Sequence, residues 1–262
     1  MALNTPITRW YGLRVWLVGA SAGIGLALAE QLHAAGARVI VSARRQAALE
    51  AFAAKHPGSL ALPLDVTDRQ AVVSAVMQLV EDEPLDLVCF CAGQHQTMRA
   101  DDLDLNALLQ HREVNLVGAL HLIAAVVPHL LAAARAGRTP HLSLVASVAG
   151  LRGLPDNLAY GPSQAALINL AETLQLELPP KGVGVSLAIV KPGLTGTPFT
   201  EPHPASLPAW PLPAQAASAM LQGWARGSFQ LAVPWRSKLG GRPGYTTSAS
   251  GLFAWLRRLQ GS

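Results

Sequence analysis

The regular alternation of short apolar segments with helical segments is the feature that most limits how this chain can fold. Between Val15 and about Val233 the apolar segments are nearly continuous, and each is followed by a stretch with helical periodicity. Strands that are apolar along their whole length are typical of parallel sheets, which helices cover on both faces. The sequence therefore predicts an α/β fold, a doubly wound parallel sheet of about seven strands between two layers of helices.

The predicted strands occupy residues 15–18, 38–42, 60–64, 85–91, 141–146, 185–190 and 229–233. Helices are predicted over residues 24–35, 46–54, 68–80, 105–134, 157–178 and 214–225. Asp68 provides an acidic N-cap for the third of these helices. Because the alternation runs without a break, we predict one domain over residues 1–235, followed by a tail over residues 236–262.

The 262-residue chain has a net charge of +4, and its basic character is concentrated towards the C-terminal end. Residues 202–262 contain Arg and Lys but no Asp or Glu, and Trp235, Phe253, Trp255 and Leu256 lie among them. Aromatic side chains interleaved with arginine can lie at an anionic membrane surface or dock on a partner subunit. No basic stripe accompanies an element that reads bases, so we predict no nucleic-acid partner.

Cys89 and Cys91 lie on one predicted strand and form neither a disulfide framework nor a set of metal ligands. They predict reduced thiols in a cytoplasmic protein without a metal site. The apolar stretch at residues 114–134 is long enough to span a membrane, but Asn115, a proline and two histidines interrupt it. We predict a long buried helix there.

A glycine-rich loop with the spacing G-x-x-x-G-x-G joins the first predicted strand to its helix. Its residues are Gly19, Ala20, Ser21, Ala22, Gly23, Ile24 and Gly25. Glycines let the backbone approach a pyrophosphate closely, and the free N–H groups at the start of the helix can bind it. The order of strand, loop and helix predicts a Rossmann-type dinucleotide site rather than a simple turn.

The end of the second predicted strand indicates which dinucleotide is bound. An acidic residue there would bind the ribose 2′-hydroxyl of NAD, but this chain has Ser42, Ala43, Arg44 and Arg45. Arg44 is placed to pair with a 2′-phosphate, which favours NADP(H) over NAD(H). A solvated arginine that opens a helix is the alternative interpretation.

Four polar residues form a constellation further along the chain. Asn115 lies within an apolar helix, Ser147 ends the fifth predicted strand, Tyr160 follows thirteen residues later, and Gln164 lies four residues beyond it. In this order and spacing they resemble the short-chain dehydrogenase/reductase family, whose signature is Ser...Tyr-x-x-x-Lys. The resemblance covers about residues 15–233. It implies an NAD(P)-dependent oxidoreductase that converts a carbonyl and an alcohol into each other, as a homodimer or homotetramer.

The resemblance implies a task for each catalytic residue. Tyr160 is implied as the general acid or base, and Ser147 as the residue that hydrogen-bonds the substrate oxygen. Asn115 is implied to distort its helix and to hold a water in a proton relay. A core asparagine that satisfies backbone groups is the alternative for this residue.

Other residues that match the family's motifs imply contacts with the cofactor. Two of these matches have alternative interpretations: Asp65 would also suit a helix start, and Pro192 with Gly193 a simple turn. Phe90 and Cys91 replace the two asparagines of the family's Asn-Asn-Ala-Gly element, which mainly braces the sheet. The matching residues are Asp65, Val66, Ala92, Gly93, Pro192, Gly193, Thr195 and Thr197.

Gln164 replaces the lysine that, in the family, holds the nicotinamide ribose and lowers the pKa of the tyrosine. A unit charge about 4 Å away at an effective dielectric of about 20 is worth roughly 4 kcal/mol, or about 3 pKa units. The change predicts a slow reductase with poor alcohol oxidation. A non-catalytic NADP-binding protein that acts by binding or dimerising is the alternative. Lys191 is either a substitute charge or a surface lysine.

Residues 194–213 are predicted to cover the substrate, because they join the sixth strand to the next helix above the site. Leu194, Phe199, Leu207, Trp210 and Leu212 make this segment apolar, and its prolines stiffen it. The composition favours a hydrophobic carbonyl substrate such as a steroid, a fatty acyl chain or an aromatic ketone. Ordinary loop packing would explain it equally well.

Overall fold

A seven-stranded parallel sheet organises the residues that the computed structural model describes, which are 2–190 and 213–231. The strand order is β3-β2-β1-β4-β5-β6-β7. The strands are β1 (Arg14–Val18), β2 (Arg38–Ser42), β3 (Leu60–Ala61), β4 (Leu87–Phe90), β5 (His141–Ser147), β6 (Gly184–Val190) and β7 (Gln230–Leu231). The order reverses between β1 and β4, and in such sheets ligands bind in the crevice beyond the carboxyl ends of these strands.

Helices connect the strands and cover both faces of the sheet. They are α1 (Gly23–Ala34), α2 (Gln46–Lys55), α3 (Arg69–Asp82), α4 (Leu105–Arg112), α5 (Gly118–Arg135), α6 (Tyr160–Glu177) and α7 (Pro213–Ala225). A π-helical turn, Glu113–Val117, joins α4 to α5, and short 3₁₀ turns lie at Val148–Gly150 and Pro179–Lys181. The predicted doubly wound α/β fold is confirmed.

Successive residues of the strands pack into two separate apolar clusters. Trp16 and Val18 of β1 contribute to a cluster with α3, α5 and α6. Val15 and Leu17 contribute to a second cluster with α1, α2 and α7. Because both faces of the strand are buried, its sequence is apolar without alternation, as in other parallel sheets.

Several predicted boundaries were wrong. The third strand was predicted over residues 60–64, but only Leu60–Ala61 form a regular strand. Beyond it the backbone still follows β2, since the N–H of Leu62 donates to Val41 (3.0 Å) and that of Leu64 to Ala43 (3.0 Å). The helix predicted from residue 157 begins at Tyr160.

The helical stretch over residues 105–135 has the length and composition of a membrane span. In the fold, the face of α5 that bears Leu122, Val126 and Leu130 is buried against the sheet. Leu120, on the opposite side, is 42% exposed. The predicted burial of this helix therefore holds for one of its faces.

A short arm, residues 3–10, packs against the start of β6 and against α7. The side chain of Asn4 donates to the carbonyl of Val185 (2.7 Å) and accepts from its N–H (3.0 Å). The backbone N–H groups of Leu3 and Asn4 donate to the carbonyl of Gly227, each at 3.0 Å. The arm thus joins residues near position 4 to β6 and to the turn after α7.

Candidate active site

A cleft of about 430 Å³ opens at the carboxyl ends of β1 and β4, where the strand order reverses. Segments that are distant in the sequence meet there. The predicted site residues that line it are Gly19, Ser21, Ala22, Gly23, Ile24, Gly25, Arg44, Asp65, Val66, Ala92, Gly93, Tyr160 and Gln164. The predictions thus converge on one cavity, whereas Asn115 and Ser147 are fully buried behind its wall.

The glycine loop requires glycine for steric reasons at two positions. A Cβ on Gly19 would lie 2.4 Å from the backbone nitrogen of Ala92, and one on Gly25 would lie 2.4 Å from the carbonyl oxygen of Gly19. Gly23 has a φ of 60°, which other residues rarely adopt. The loop therefore folds tightly and brings the start of α1 to the cleft.

Arg44 and Arg45 line the cleft beside the glycine loop. Arg45 donates from Nη2 to the hydroxyl of Ser21 (3.0 Å) and so ties the end of β2 to the loop. Sequence reasoning singled out only Arg44, although the two arginines are adjacent in the sequence.

Asp65 lies at the same end of the cleft. Burial raises the pKa of its carboxyl, but hydrogen bonds from Thr67 and the charge of Arg44 lower it by more, so the net pKa lies below its usual value. The backbone N–H and the hydroxyl of Thr67 donate to Oδ1 at 2.9 and 2.8 Å. Asp65 is therefore ionised at neutral pH and held in a fixed orientation.

Asn115 lies within the π-helical turn between α4 and α5, so the helix is distorted where the resemblance implied it. Its side chain accepts from the N–H of Gln94 (2.7 Å) and donates to the carbonyl of Gln94 (3.0 Å) and to the hydroxyl of Ser163 (3.0 Å). The hydroxyl of Ser163 donates to the carbonyl of Tyr160 (2.7 Å). These bonds join the loop after β4 to the first turn of α6.

Tyr160 is the first residue of α6, and its side chain is 4% exposed. Burial raises the pKa of its phenol well above the usual value, and a hydrogen bond with Ser147 opposes this in part. Ser147 ends β5, and its hydroxyl also accepts from the N–H of Ala149 (3.1 Å). The buried hydroxyl of Ser147 is therefore hydrogen-bonded to Tyr160, which lines the cleft.

Gln164 lies one helical turn after Tyr160, is 4% exposed and lines the same cleft. The backbone packs closely here, since a Cβ on Gly150 would lie 2.5 Å from the carbonyl carbon of Gln164. The amide of Gln164 can hydrogen-bond a ribose but carries no charge. No positive side chain in the described part of the chain contributes to the pKa of Tyr160.

His95 is a cleft residue that sequence reasoning missed. Its ring packs edge-on against that of Tyr160, with centroids 4.8 Å apart and planes at 89°. Its Nε2 lies 3.3 Å from Oδ1 of Asn157. Its place two residues after the Ala92–Gly93 pair was the only signal in the sequence.

Two further features concern the end of β4 and the loop after it, namely the pairing with β1 and the two cysteines. The N–H of Cys91 donates to the carbonyl of Val18 (2.7 Å), so this loop continues the pairing of β4 with β1. The sulfur atoms of Cys89 and Cys91 lie 3.4 Å apart, and both thiols are free. The hydrogen bond between the two thiols and burial raise the pKa of Cys91, which makes it a weak nucleophile.

Several predicted site residues lie outside the described residues. They are the cofactor candidates Pro192, Gly193, Thr195 and Thr197, the substrate candidates Leu194, Phe199 and Trp210, and also Lys191. The predictions for these positions, and for the tail at residues 236–262, stay predictions.

The cleft fits a dinucleotide by the shape of its walls. The glycine loop leaves room for a pyrophosphate beside the start of α1, and Asp65 with Val66 lies at one end, next to the two arginines. Tyr160 and Gln164 lie among the cleft-lining residues that come from later in the sequence. The residues present therefore suit a phosphate-bearing cofactor.

Comparison with known proteins agrees with this geometry. The family model described as short chain dehydrogenase matches residues 14–207. An uncharacterized oxidoreductase of Myxococcus xanthus is 32% identical over 225 residues, which cover 84% of this chain and 87% of that protein. The 2-keto-3-deoxy-L-fuconate dehydrogenase of Xanthomonas campestris is 32% identical and covers 74% of this chain, and the match spans 62% of that protein.

A solved structure of a short chain dehydrogenase/reductase family protein is similar as well. It is 26% identical, has a TM-score of 0.74, and the match covers 85% of this chain and 95% of that chain.

Proposed function

The chain belongs to the short chain dehydrogenase family, and from that premise we propose that it reduces a carbonyl group on a small or hydrophobic substrate with NADPH. Members of this family use a nicotinamide dinucleotide. The observation that carries the proposal is that Tyr160, hydrogen-bonded to the buried Ser147, lines the same cleft as the glycine loop.

NADP(H) is favoured over NAD(H) by the charges at one end of the cleft. Arg44 and Arg45 lie where an acidic residue would hold the ribose of NAD. Guanidinium groups pair well with phosphate, and the bond of Arg45 to Ser21 fixes one of them in place. Asp65 and Val66 are the candidates for the adenine pocket, and when bound the cofactor supplies the hydride.

Tyr160 is the proposed proton donor. During reduction its O–H bond breaks and the proton moves to the carbonyl oxygen of the substrate, which leaves a phenolate. The hydroxyl of Ser147, already within hydrogen-bonding reach, stabilises that charge and orients the substrate oxygen. Asn115 holds the loop of Gln94 and the first turn of α6 together, which keeps the proton donor in position.

The direction of the reaction follows from the protonation state of Tyr160. Burial favours the neutral phenol, which is the form that donates a proton. Alcohol oxidation needs the phenolate, and Gln164 supplies no charge to stabilise it. We therefore propose a reductase whose reverse activity is poor at neutral pH.

The test is consumption of NADPH by the purified protein on a panel of polar and hydrophobic carbonyl compounds. We expect turnover of at least one class, and loss of about 100-fold or more in kcat for Tyr160→Phe, which keeps the ring but not the proton. Equal rates for the wild type and this variant would refute the role of Tyr160.

The same experiment addresses the alternative of a non-catalytic NADP-binding protein. Such a protein would bind NADPH without turning over any carbonyl of the panel. If Gln164→Lys then restored turnover, the missing charge would be the cause, and binding rather than catalysis would be the function of the natural chain.

For the whole molecule we propose a homodimer or homotetramer in the cytoplasm. The exposed side of α5, where Leu120 is 42% exposed, supports contact with a second subunit. Peripheral membrane contact through the aromatic, basic tail stays a prediction from the sequence.

A further inference from the structure

We propose that His95 exchanges protons with Tyr160 and thereby restores the proton donor after each turnover. The inference rests on the proposed role of Tyr160 as the general acid. In the family signature the residue four positions after the tyrosine is a cation, whereas the amide of Gln164 does not ionise. Among the described residues that line this cleft, His95 is the histidine, and its ring is in contact with that of Tyr160. Histidine is the side-chain type that gains and loses a proton near neutrality.

The contact between His95 and Tyr160 is direct. The ring centroids are 4.8 Å apart with an interplanar angle of 89°, and both residues line the cleft together with Gln164. This edge-on contact makes the two rings neighbours, and the proton passes between the imidazole and the phenol hydroxyl through one bridging water molecule. His95 is half-buried, so its ring can also exchange protons with solvent.

Asn157 determines which ring nitrogen carries the fixed proton. Its Nδ2 donates to the carbonyl of Pro155 (2.7 Å), so Oδ1 is the atom that points at Nε2 of His95 (3.3 Å). Because Oδ1 can only accept, Nε2 must donate. Nδ1 is then the nitrogen that changes its protonation.

The loop that bears His95 is held against the segment that precedes α6. The N–H of Met98 donates to the carbonyl of Asp156 (2.9 Å), and the N–H of Leu158 donates to the carbonyl of Met98 (3.2 Å). His95 and Tyr160 therefore keep a fixed relation, which proton exchange requires.

The protons balance in each cycle. In reduction Tyr160 loses its proton to the carbonyl oxygen, the Nδ1–H bond of the His95 imidazolium breaks, and the O–H bond of Tyr160 re-forms. His95 then takes up a proton from the solvent, so each reduction consumes one solvent proton. In alcohol oxidation the same steps run in reverse, and neutral His95 receives the proton of Tyr160.

Other titratable groups surround this pair on the neighbouring segments. His111 of α4 accepts from the N–H of Gln96 at Nε2 (2.9 Å), which fixes it as a support of the loop. Further along the described part of this loop, the exposed Arg99 pairs with Asp101 and with Asp156.

The first test compares His95→Phe with the wild type in carbonyl reduction. Phenylalanine keeps the ring contact but cannot carry a proton, so we expect kcat at pH 7 to fall about 10- to 100-fold while KM stays within about twofold. The pH profile of kcat should lose one ionisation. His33→Phe, on the distant α1, is the matched control and should leave kcat and its pH profile unchanged.

Two rescue experiments separate proton exchange from packing. Added imidazole should restore activity to His95→Gly but not to His95→Gly combined with Tyr160→Phe. In the His95→Phe background, Gln164→Lys should recover at least about tenfold in kcat, because lysine supplies the missing cation. A failure of both rescues would show that His95 contacts the substrate or only packs, and would overturn the proposal.

A titration without turnover keeps the proposal testable if no substrate is found. The ¹⁵N signals of His95, assigned by their loss in His95→Phe, are followed with pH in the wild type and in Tyr160→Phe. Coupled proton exchange predicts a different titration curve in Tyr160→Phe, and identical curves would overturn it. An inactive Tyr160→Phe with a fully active His95→Phe would refute this inference but leave the proposed function standing.

Discussion

The side chain at position 164 determines whether a positive charge lies one helical turn from Tyr160. Gln164 lies one helical turn after Tyr160, and both side chains face the cleft. Burial alone holds the phenol in its neutral form, because the hydrogen bond with Ser147 opposes that effect only in part. A positive charge at this place would therefore add to the hydrogen bond from Ser147 in favouring the phenolate.

Gln164→Lys should raise alcohol oxidation near pH 7 by at least about tenfold and change carbonyl reduction much less. A charge about 4 Å from the phenol is worth roughly 3 pKa units at an effective dielectric of about 20. Initial rates in both directions measure the ratio, with the uncharged Gln164→Met as the control. If the wild type already oxidises alcohols as readily as the lysine variant, the argument from charge fails.

The preference for NADP(H) depends on the arginines at the end of β2. Arg44→Ala should raise the KM for NADPH about 10- to 100-fold, because a charge-assisted bond to a phosphate is lost, and should leave the KM for NADH within about twofold. Steady-state kinetics with both cofactors give the ratio, and Lys55→Ala at the end of α2 is the surface control. If the preference for NADPH over NADH is unchanged, Arg45, which bonds to Ser21, would be the residue that pairs with the 2′-phosphate.

Among the elements, the type and order of strands and helices could be predicted, but their irregularities could not. Hydrophobic periodicity indicates where β1 or α1 lies because burial on one or both faces decides it. The π-helical turn at Glu113–Val117 depends instead on the bonds of Asn115 to Gln94 and Ser163, which are distant in the sequence. For the same reason His95 could not be predicted, since its contact with Tyr160 exists only after the two loops have paired.

The arm at residues 3–10 should contribute measurably to stability. Asn4 is 8% exposed and satisfies both the N–H and the carbonyl of Val185. Asn4→Ala leaves these groups without their partner, so the free energy of unfolding should fall by about 1–3 kcal/mol. Chemical denaturation measures it, and Thr5→Ala, at an exposed neighbour, should have almost no effect.

At the scale of the whole molecule, a buried polar cluster joins the sheet to α7. His141 donates from Nε2 to the hydroxyl of Ser186 (2.8 Å), which also accepts from the indole of Trp224 (2.9 Å) and donates to Ser143 (3.0 Å). Burial lowers the pKa of His141 from 6.5 to about 3. The folded chain therefore keeps this imidazole neutral.

This cluster predicts a loss of stability in acid. Above pH 6.5 His141 is neutral in both the folded and the unfolded chain, so its contribution is fully present. As the pH falls from 6.5 towards 3, only the unfolded chain takes up the proton, and stability falls by up to about 1.4 kcal/mol per pH unit. His141→Gln lacks this dependence, so denaturation curves of the two proteins should converge as the pH decreases. Parallel curves would contradict the prediction, and His33→Gln is the control.

The contacts of Asn4 also constrain the order in which the molecule is completed during synthesis. Its partner Val185 lies 181 residues later, and the carbonyl that binds Leu3 and Asn4 belongs to Gly227. During translation these partners are synthesised long after the arm at residues 3–10. Residues 3–7 must therefore remain without these contacts until β6 and α7 have emerged, so a segment that is synthesised before β1 completes its packing only after α7 has been made.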